Sequence, residues 1–309
     1  MKKYIIIFIC FVGFLFSPHY SPAQEFREAQ KIQPNFTEAS TVKKQQANVS
    51  SLSVHICEDY NGLKGKMASL NRSFSEYLKM DNEINEVFLK TQHQFKQIQS
   101  EQLSTRGAIA GTASKTSQNQ IEGRITREQV QDQSPEVRRL QKSVSASRRL
   151  KDNIFKDLES LRQSIAAVGA DIRKLSAQGL IPAESKQCLK RASSELDNEI
   201  SRFGGMNEAL KAQQGARNTN FSVSVACGSC DYKKCAECCQ RVNLVTAAEG
   251  TIENANQKRR LYLCQIQCDT LAEFCSQHAD AEDLWKKAMD ALKDLNNRQT
   301  ENSRNVSNL

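Results

Sequence analysis

The segment DYKKCAECCQRV, Asp231 to Val242, places three cysteines within five positions. Thiols at this density can do three kinds of chemistry. A thiolate of lowered pKa attacks disulfides or carbonyls, four thiolates hold a zinc ion, and paired cysteines cross-link the chain. Each outcome needs different neighbours and a different redox compartment.

Cys227-Gly-Ser-Cys230 has the C-x2-C spacing of dithiol oxidoreductases, but the βαβ surroundings of such an enzyme are missing. Cys235 and Cys238 repeat that spacing, so the Cys227–Cys239 cluster could present four thiolates to zinc. His278, three residues after Cys275, could serve as a ligand or as a Cys–His base; a solvated helical histidine is the expectation.

The start of the chain decides among these. MKKYIIIFICFVGFLFSPHYSPAQEF has a charged Lys2-Lys3, an apolar core of 13 residues from Tyr4 to Phe16, and small residues at Ser21 and Ala23. That is the pattern of a signal peptide over 1–23, cleaved after Ala23. Thirteen residues are short for a membrane span, and the pattern leaves no transmembrane anchor after processing. Export to a bacterial periplasm or the medium is an oxidising destination, where cysteines pair. Cys10 falls in the leader, leaving ten: Cys57, Cys188, Cys227, Cys230, Cys235, Cys238, Cys239, Cys264, Cys268 and Cys275.

Cys235 and Cys239 are four apart, as are Cys264 and Cys268, so each pair shares one face of a helix. A hairpin about Gly250-Thr251 sets residue i opposite residue 503 − i. Cys239 then faces Cys264, Cys235 faces Cys268, Val242 faces Leu261, and Tyr232 faces Leu271. Packed helices lie about 8–10 Å apart, close enough for facing Cα atoms to be bridged. The expected rungs are 235–268 and 239–264. Paired C-x3-C segments of this kind resemble the twin CX3C hairpins of small mitochondrial intermembrane-space proteins. The resemblance spans about 45 residues, with a longer spacing between pairs here, and implies cross-linking alone. Cys275 falls opposite position 228, which points to Cys227 or Cys230 as its partner and leaves the other for Cys238; spacing alone leaves these pairings open.

The elements that carry the cysteines are helical. Leu63, Met67, Leu70, Phe74, Tyr77, Asp81, Ile84, Phe88, Thr91, Phe95 and Ile98 step by four and three, and only Asp81 and Thr91 break the apolar seam. The same rhythm returns from Val137 to Leu175, broken at Ser147 and Lys151. Ser134-Pro135-Glu136 opens that helix, and Gly179 and Pro182 close it. A third helix carries Leu189, Ala192, Leu196, Phe203, Met206 and Leu210, with a bend at Gly204-Gly205. The short GLIPAE connection makes helices two and three antiparallel neighbours. Cys57 and Cys188 then meet at one end of the bundle, across 130 intervening residues. A last helix buries Leu284, Trp285, Ala288, Met289, Leu292 and Leu295, with Trp285 as the core anchor of a small cysteine-rich domain.

The expected organisation is therefore all-α: an elongated coiled-coil or antiparallel helical bundle followed by a disulfide-stapled helical hairpin domain. Its parts are a disordered segment over 24–56, a long coiled-coil helix over 57–103, and a flexible linker over 104–133. A helical hairpin over 134–214 packs on the first helix, a cysteine-rich domain spans 215–298, and a disordered tail covers 299–309.

The hydrophobic share of 39 % suits long solvated helices better than a large globular core. No G-x-G-x-x-G, Walker loop or HExxH stands in the chain. The net charge of +8 falls to +6 once Lys2 and Lys3 are removed, and the basic face of 138–151 could meet an anionic envelope component. The expectation is an exported, non-catalytic scaffold or interaction protein, without cofactor or metal. Its partners would be other envelope or extracellular proteins, not nucleic acid, and the heptads of 57–103 also allow a homo-oligomer. The competing reading is a thiol-redox or zinc-binding module at Cys227–Cys239.

Overall fold

A computed structural model describes residues 36–109, 135–220, 227 and 229–309. The expected signal peptide over 1–23, the rest of the expected linker over 110–133 and the expected cap at Ser134 lie outside the described residues. Five helices follow in order: α1 Phe36–Ile109, α2 Pro135–Ser176, α3 Ala183–Asn220, α4 Tyr232–Val242 and α5 Ile252–Ser307. The chain divides at Val42/Lys43. Of the first unit only 36–42 is described, and it is helical.

Pairs of side chains fix the helix directions. Lys66 meets Ser164 and Lys90 meets Glu136, so α1 and α2 are antiparallel. Arg148 meets Asp280 and Arg162 meets Asp294, so α2 and α5 run parallel. Ser193 meets Ser303, and Gly204 abuts Leu292, so α3 and α5 are antiparallel. α2 and α3 are antiparallel too, and Gly179 makes the joint between them with φ +109°, a region that L side chains avoid. They are not the side-by-side neighbours that the short joint suggested, since each packs on α5.

That fifth helix carries the largest correction. Residues 280–296 do not form a separate helix in a small domain; α5 is continuous over 56 residues, about 84 Å at 1.5 Å per residue. Ala281, Leu284, Ala288, Leu295 and Val306 share one core with Leu70, Phe74, Leu161, Leu196 and Phe203. The fold is a four-helix bundle with α4 stapled to its side. α5 hides this role because its buried stripe is small or polar, including Gln267, Thr270, Gln277, Gln299 and Asn302.

Residues 299–307 of the expected tail over 299–309 are in fact the end of this helix. Gln299 Nε2 donates to Ser193 Oγ at 2.9 Å, and Asn302 Nδ2 donates to the Ile165 carbonyl at 3.2 Å. Nor is the start of α1 disordered over 36–56. Val49, Ser53, Ile56 and Tyr60 are buried and carry the four-three spacing upstream of Leu63. The linker also starts later than expected, since α1 runs to Ile109. α3 continues past 214 to Asn220 without a break at Gly204. There the glycine serves contact, because a Cβ at 204 would stand 3.3 Å from Leu292 Cδ2. Trp285 is not an anchor but half-buried, with Lys211 Nζ 5.3 Å from its ring centre.

Toward the hairpin end the core changes composition. Ile84, Phe88, Leu140, Val144, Leu271 and Phe274 form one cluster, then Phe95, Val137, Leu263 and Ile266 another. Neither contains an α3 residue among the described residues. Arg217 stands at this step from four helices to three.

Candidate functional site

Asp231 starts α4. Its backbone is extended at φ −80°, ψ 107°, and its carboxylate accepts from Lys233 N and Lys234 N at 3.0 and 3.3 Å. This cap satisfies amides that a helix start would leave open. The helix then places Cys235 and Cys239 on one buried face, both 0 % exposed.

The turn back into α5 is held by side chains. Gln257 Oε1 accepts from Thr246 N and Ala247 N at 2.8 and 3.0 Å, and Asn254 Nδ2 donates to Ala247 O at 2.8 Å. Gly250 takes φ +85°, and Thr251 caps α5 by accepting from Asn254 N at 3.1 Å. Gln257 and Asn254 are both buried, so the loop has one fixed shape rather than a fraying one.

Four disulfides tie this hairpin together. Cys235 joins Cys268 and Cys239 joins Cys264, each with Cα atoms 5.7 Å apart. Cys230 joins Cys275 across 5.7 Å and Cys227 joins Cys238 across 5.6 Å, which fills in the pairing that spacing left open. At the far end of the bundle Cys57 joins Cys188 with Cα atoms 6.2 Å apart. The two cysteines of CGSC thus bond elsewhere rather than to each other. The two C-x2-C pairs that could have formed a zinc cage are spread over three disulfides.

The apolar partners of the hairpin register do not continue the seam. Val242 is 61 % exposed and Tyr232 is exposed as well, each at one end of the short α4. Leu244, Val245 and Ile252 are also on the surface. Together with Val242 they give the loop an aliphatic tip. Beside it runs an open groove of about 440 Å³, lined by Glu237, Gln240, Arg241 and Leu244.

A second constellation, absent from the sequence expectations, lies where α3 runs out. Asp81 and Arg217 pair at 2.7 Å, and Arg217 also donates to Asp81 O at 3.1 Å. Gln277 Nε2 donates to Tyr77 Oη, Asp81 Oδ1 and Ser147 Oγ at 3.2, 3.2 and 2.9 Å. The Arg217 guanidinium lies 5.3 Å from the Phe274 ring centre, and Phe274 stacks on Phe88 at 3.8 Å. Burial pushes the Tyr77 hydroxyl pKa up, and the Asp81 charge adds to it. The signal was present as breaks in the seams. Asp81 and Ser147 sit at core positions, as does Lys151, which pairs with Asp280 at 2.7 Å. His278, expected in solvent, is half-buried, and its pKa is lowered by burial and then by Arg217.

The basic face of 138–151 is partly spent inside the bundle, since Arg148 and Lys151 both hold Asp280. Burial alone would raise the Asp280 pKa, but hydrogen bonds from Lys151 and Arg148 outweigh it and hold the carboxyl below its usual range.

Among the described residues no helix is long and apolar enough to cross a membrane. No family model matches the chain, and no curated protein matches it. Among solved structures it is similar to a computationally designed three-helix bundle at 12 % identity. That match covers 88 % of this chain and 91 % of the other at a TM-score of 0.19, a likeness too slight to bear on fold or function.

Proposed function

We propose that the chain is an exported, non-catalytic helical scaffold that presents the tip of its cysteine-rich hairpin to other envelope or extracellular proteins. The observation that carries this is covalent reinforcement at both ends of one bundle: Cys57–Cys188 at one end and four disulfides at the other. Disulfides persist in oxidising compartments and are rare where glutathione keeps thiols reduced. A long bundle offers extended surfaces, and the tip loop, braced by Gln257 and Asn254, holds Val242 and Leu244 outward at little entropic cost.

The competing reading, a thiol-redox or zinc module at Cys227–Cys239, needs free thiolates, and the closeness of the Cys227, Cys239 and Cys264 sulfurs, within 4.8 Å of one another, accompanies disulfides at all three instead.

Expression of the full chain in a bacterium with an outer membrane tests the first reading. Fractionation, N-terminal sequencing and thiol alkylation before reduction are expected to give a mature chain beginning at Gln24, outside the cytoplasm, with no alkylated cysteine. An unprocessed cytoplasmic chain, or one with alkylated cysteines in the Cys227–Cys239 cluster, would sink it.

A further inference from the structure

Cys239 Sγ and Cys268 Sγ belong to different disulfides and lie 3.4 Å apart. Neither carries a hydrogen, so this is a non-bonded approach of two rungs. Cys239 Sγ also belongs to two groups of three sulfurs, each within 4.8 Å of one another: Cys227 with Cys239 and Cys264, and Cys235 with Cys239 and Cys268. The disulfides 227–238, 239–264 and 235–268 therefore form one row with Cys239 at its centre. Burial is graded along it. Cys238 is partly exposed, Cys227 and Cys264 are 5 % and 7 % exposed, and Cys235, Cys239 and Cys268 are fully buried.

We propose that this row is a thiol–disulfide exchange path, entered by a small-molecule thiol at Cys238 and ending in a thiol at Cys235. Exchange requires a thiolate within reach of a disulfide sulfur and a second thiolate that can leave. The incoming thiolate bonds to Cys238 Sγ, the 227–238 bond breaks, and Cys227 leaves as thiolate. Cys227 bonds to Cys264 and releases Cys239. Cys239 bonds to Cys268, its 3.4 Å neighbour, and releases Cys235. The proton given up by the small thiol ends on Cys235. Three disulfides stand before and after (the mixed one at Cys238, 227–264 and 239–268), so nothing is oxidised or reduced overall.

The end of the path is prepared. Cys235 Sγ lies 2.7 Å from the Cys227 carbonyl oxygen. As a disulfide sulfur it has no hydrogen to give that acceptor, and as a thiol it has one. Cys230 is exposed, so the 230–275 bond is open to the same small thiol. Neither of its sulfurs belongs to the two groups. Opening it leaves a thiol where it forms.

The test treats the oxidised mature chain with limiting reduced glutathione at mildly alkaline pH. Acid quenching, maleimide labelling and non-reducing peptide mapping follow. The expected map has glutathione on Cys238, maleimide on Cys235, and loss of the native 235–268 and 239–264 peptides in favour of 239–268 and 227–264. The double variant C227A/C238A, its helicity checked by circular dichroism, should keep both native rungs under the same treatment. Maleimide on Cys227 with the inner rungs intact would overturn the path. So would reaction confined to Cys230 and Cys275, or equal labelling of Cys235 in the double variant.

Discussion

Arg217 on α3 and Asp81 on α1 form a 2.7 Å ion pair with side chains only 2 % and 1 % exposed, where the bundle passes from four helices to three. Removing one partner strands the other charge in the core. Asp81→Ala should cost about 3–5 kcal/mol in denaturant unfolding, whereas D81L/R217M together should be near neutral or stabilising. An equal loss in both variants would mean that the pair contributes more than charge compensation.

Two glycines, one on α2 and one on α3, should respond oppositely to alanine. A Cβ at Gly169 would fall 2.5 Å from Asn302 Oδ1, and Asn302 is buried and bonded to the Ile165 carbonyl. Gly169→Ala should therefore destabilise by about 1–3 kcal/mol through overpacking. Gly205 has nothing within 4 Å of its added Cβ, and Gly205→Ala should stabilise α3 by up to about 1 kcal/mol. Thermal melts of the two variants should move to opposite sides of the parent.

The bridge between Cys57 and Cys188 closes a sequence separation of 131 residues, against 11 for Cys227–Cys238. Loop-closure entropy makes the longer link the larger contributor. C57S/C188S should lose on the order of 2–5 kcal/mol, and C227S/C238S less. Urea midpoints at fixed slope check the order.

The pH response should carry a signature of His278. Burial, then the Arg217 charge, lowers its pKa in the folded state from 6.5, only partly offset by Glu282 and Asp81. In the window between the lowered value and 6.5 the unfolded chain binds the extra proton. Stability is thus fully present above pH 6.5 and falls as pH drops through that window. His278→Gln should flatten this step while leaving the curve above pH 7 unchanged, as measured by unfolding free energy against pH.

Much of this molecule is legible in its spacing. The four-three rhythm of Leu63 to Phe95 and of Val137 to Leu175 marks residues that are buried in α1 and α2, and the hairpin arithmetic sets Cys235 opposite Cys268, to which it is bonded. What spacing does not reveal is packing between helices whose stripes are polar or small. Gln277, Gln299 and Asn302 look like surface residues until their partners Ser147, Ser193 and Ile165 are known. Gly204 reads as a helix breaker because a glycine's lack of a side chain shows as weakness in one helix and as room only when the second helix is present. Arg217 hides in the polar run QQGARNTN, since a buried guanidinium is recognisable only from the carboxylate it meets.

The continuity of α5 has a mechanical meaning. Tension applied at the aliphatic tip of loop 243–251 enters α5 directly through the backbone at Thr251–Ile252, and on the α4 side through the Cys239–Cys264 and Cys235–Cys268 bonds rather than through weak contacts. It then travels along one unbroken rod to Val306, within the same core that holds Ile56 and Leu189, beside the Cys57–Cys188 link. A pull at one end is borne as shear along the whole length of the helix bundle, the geometry in which packed helices resist separation best.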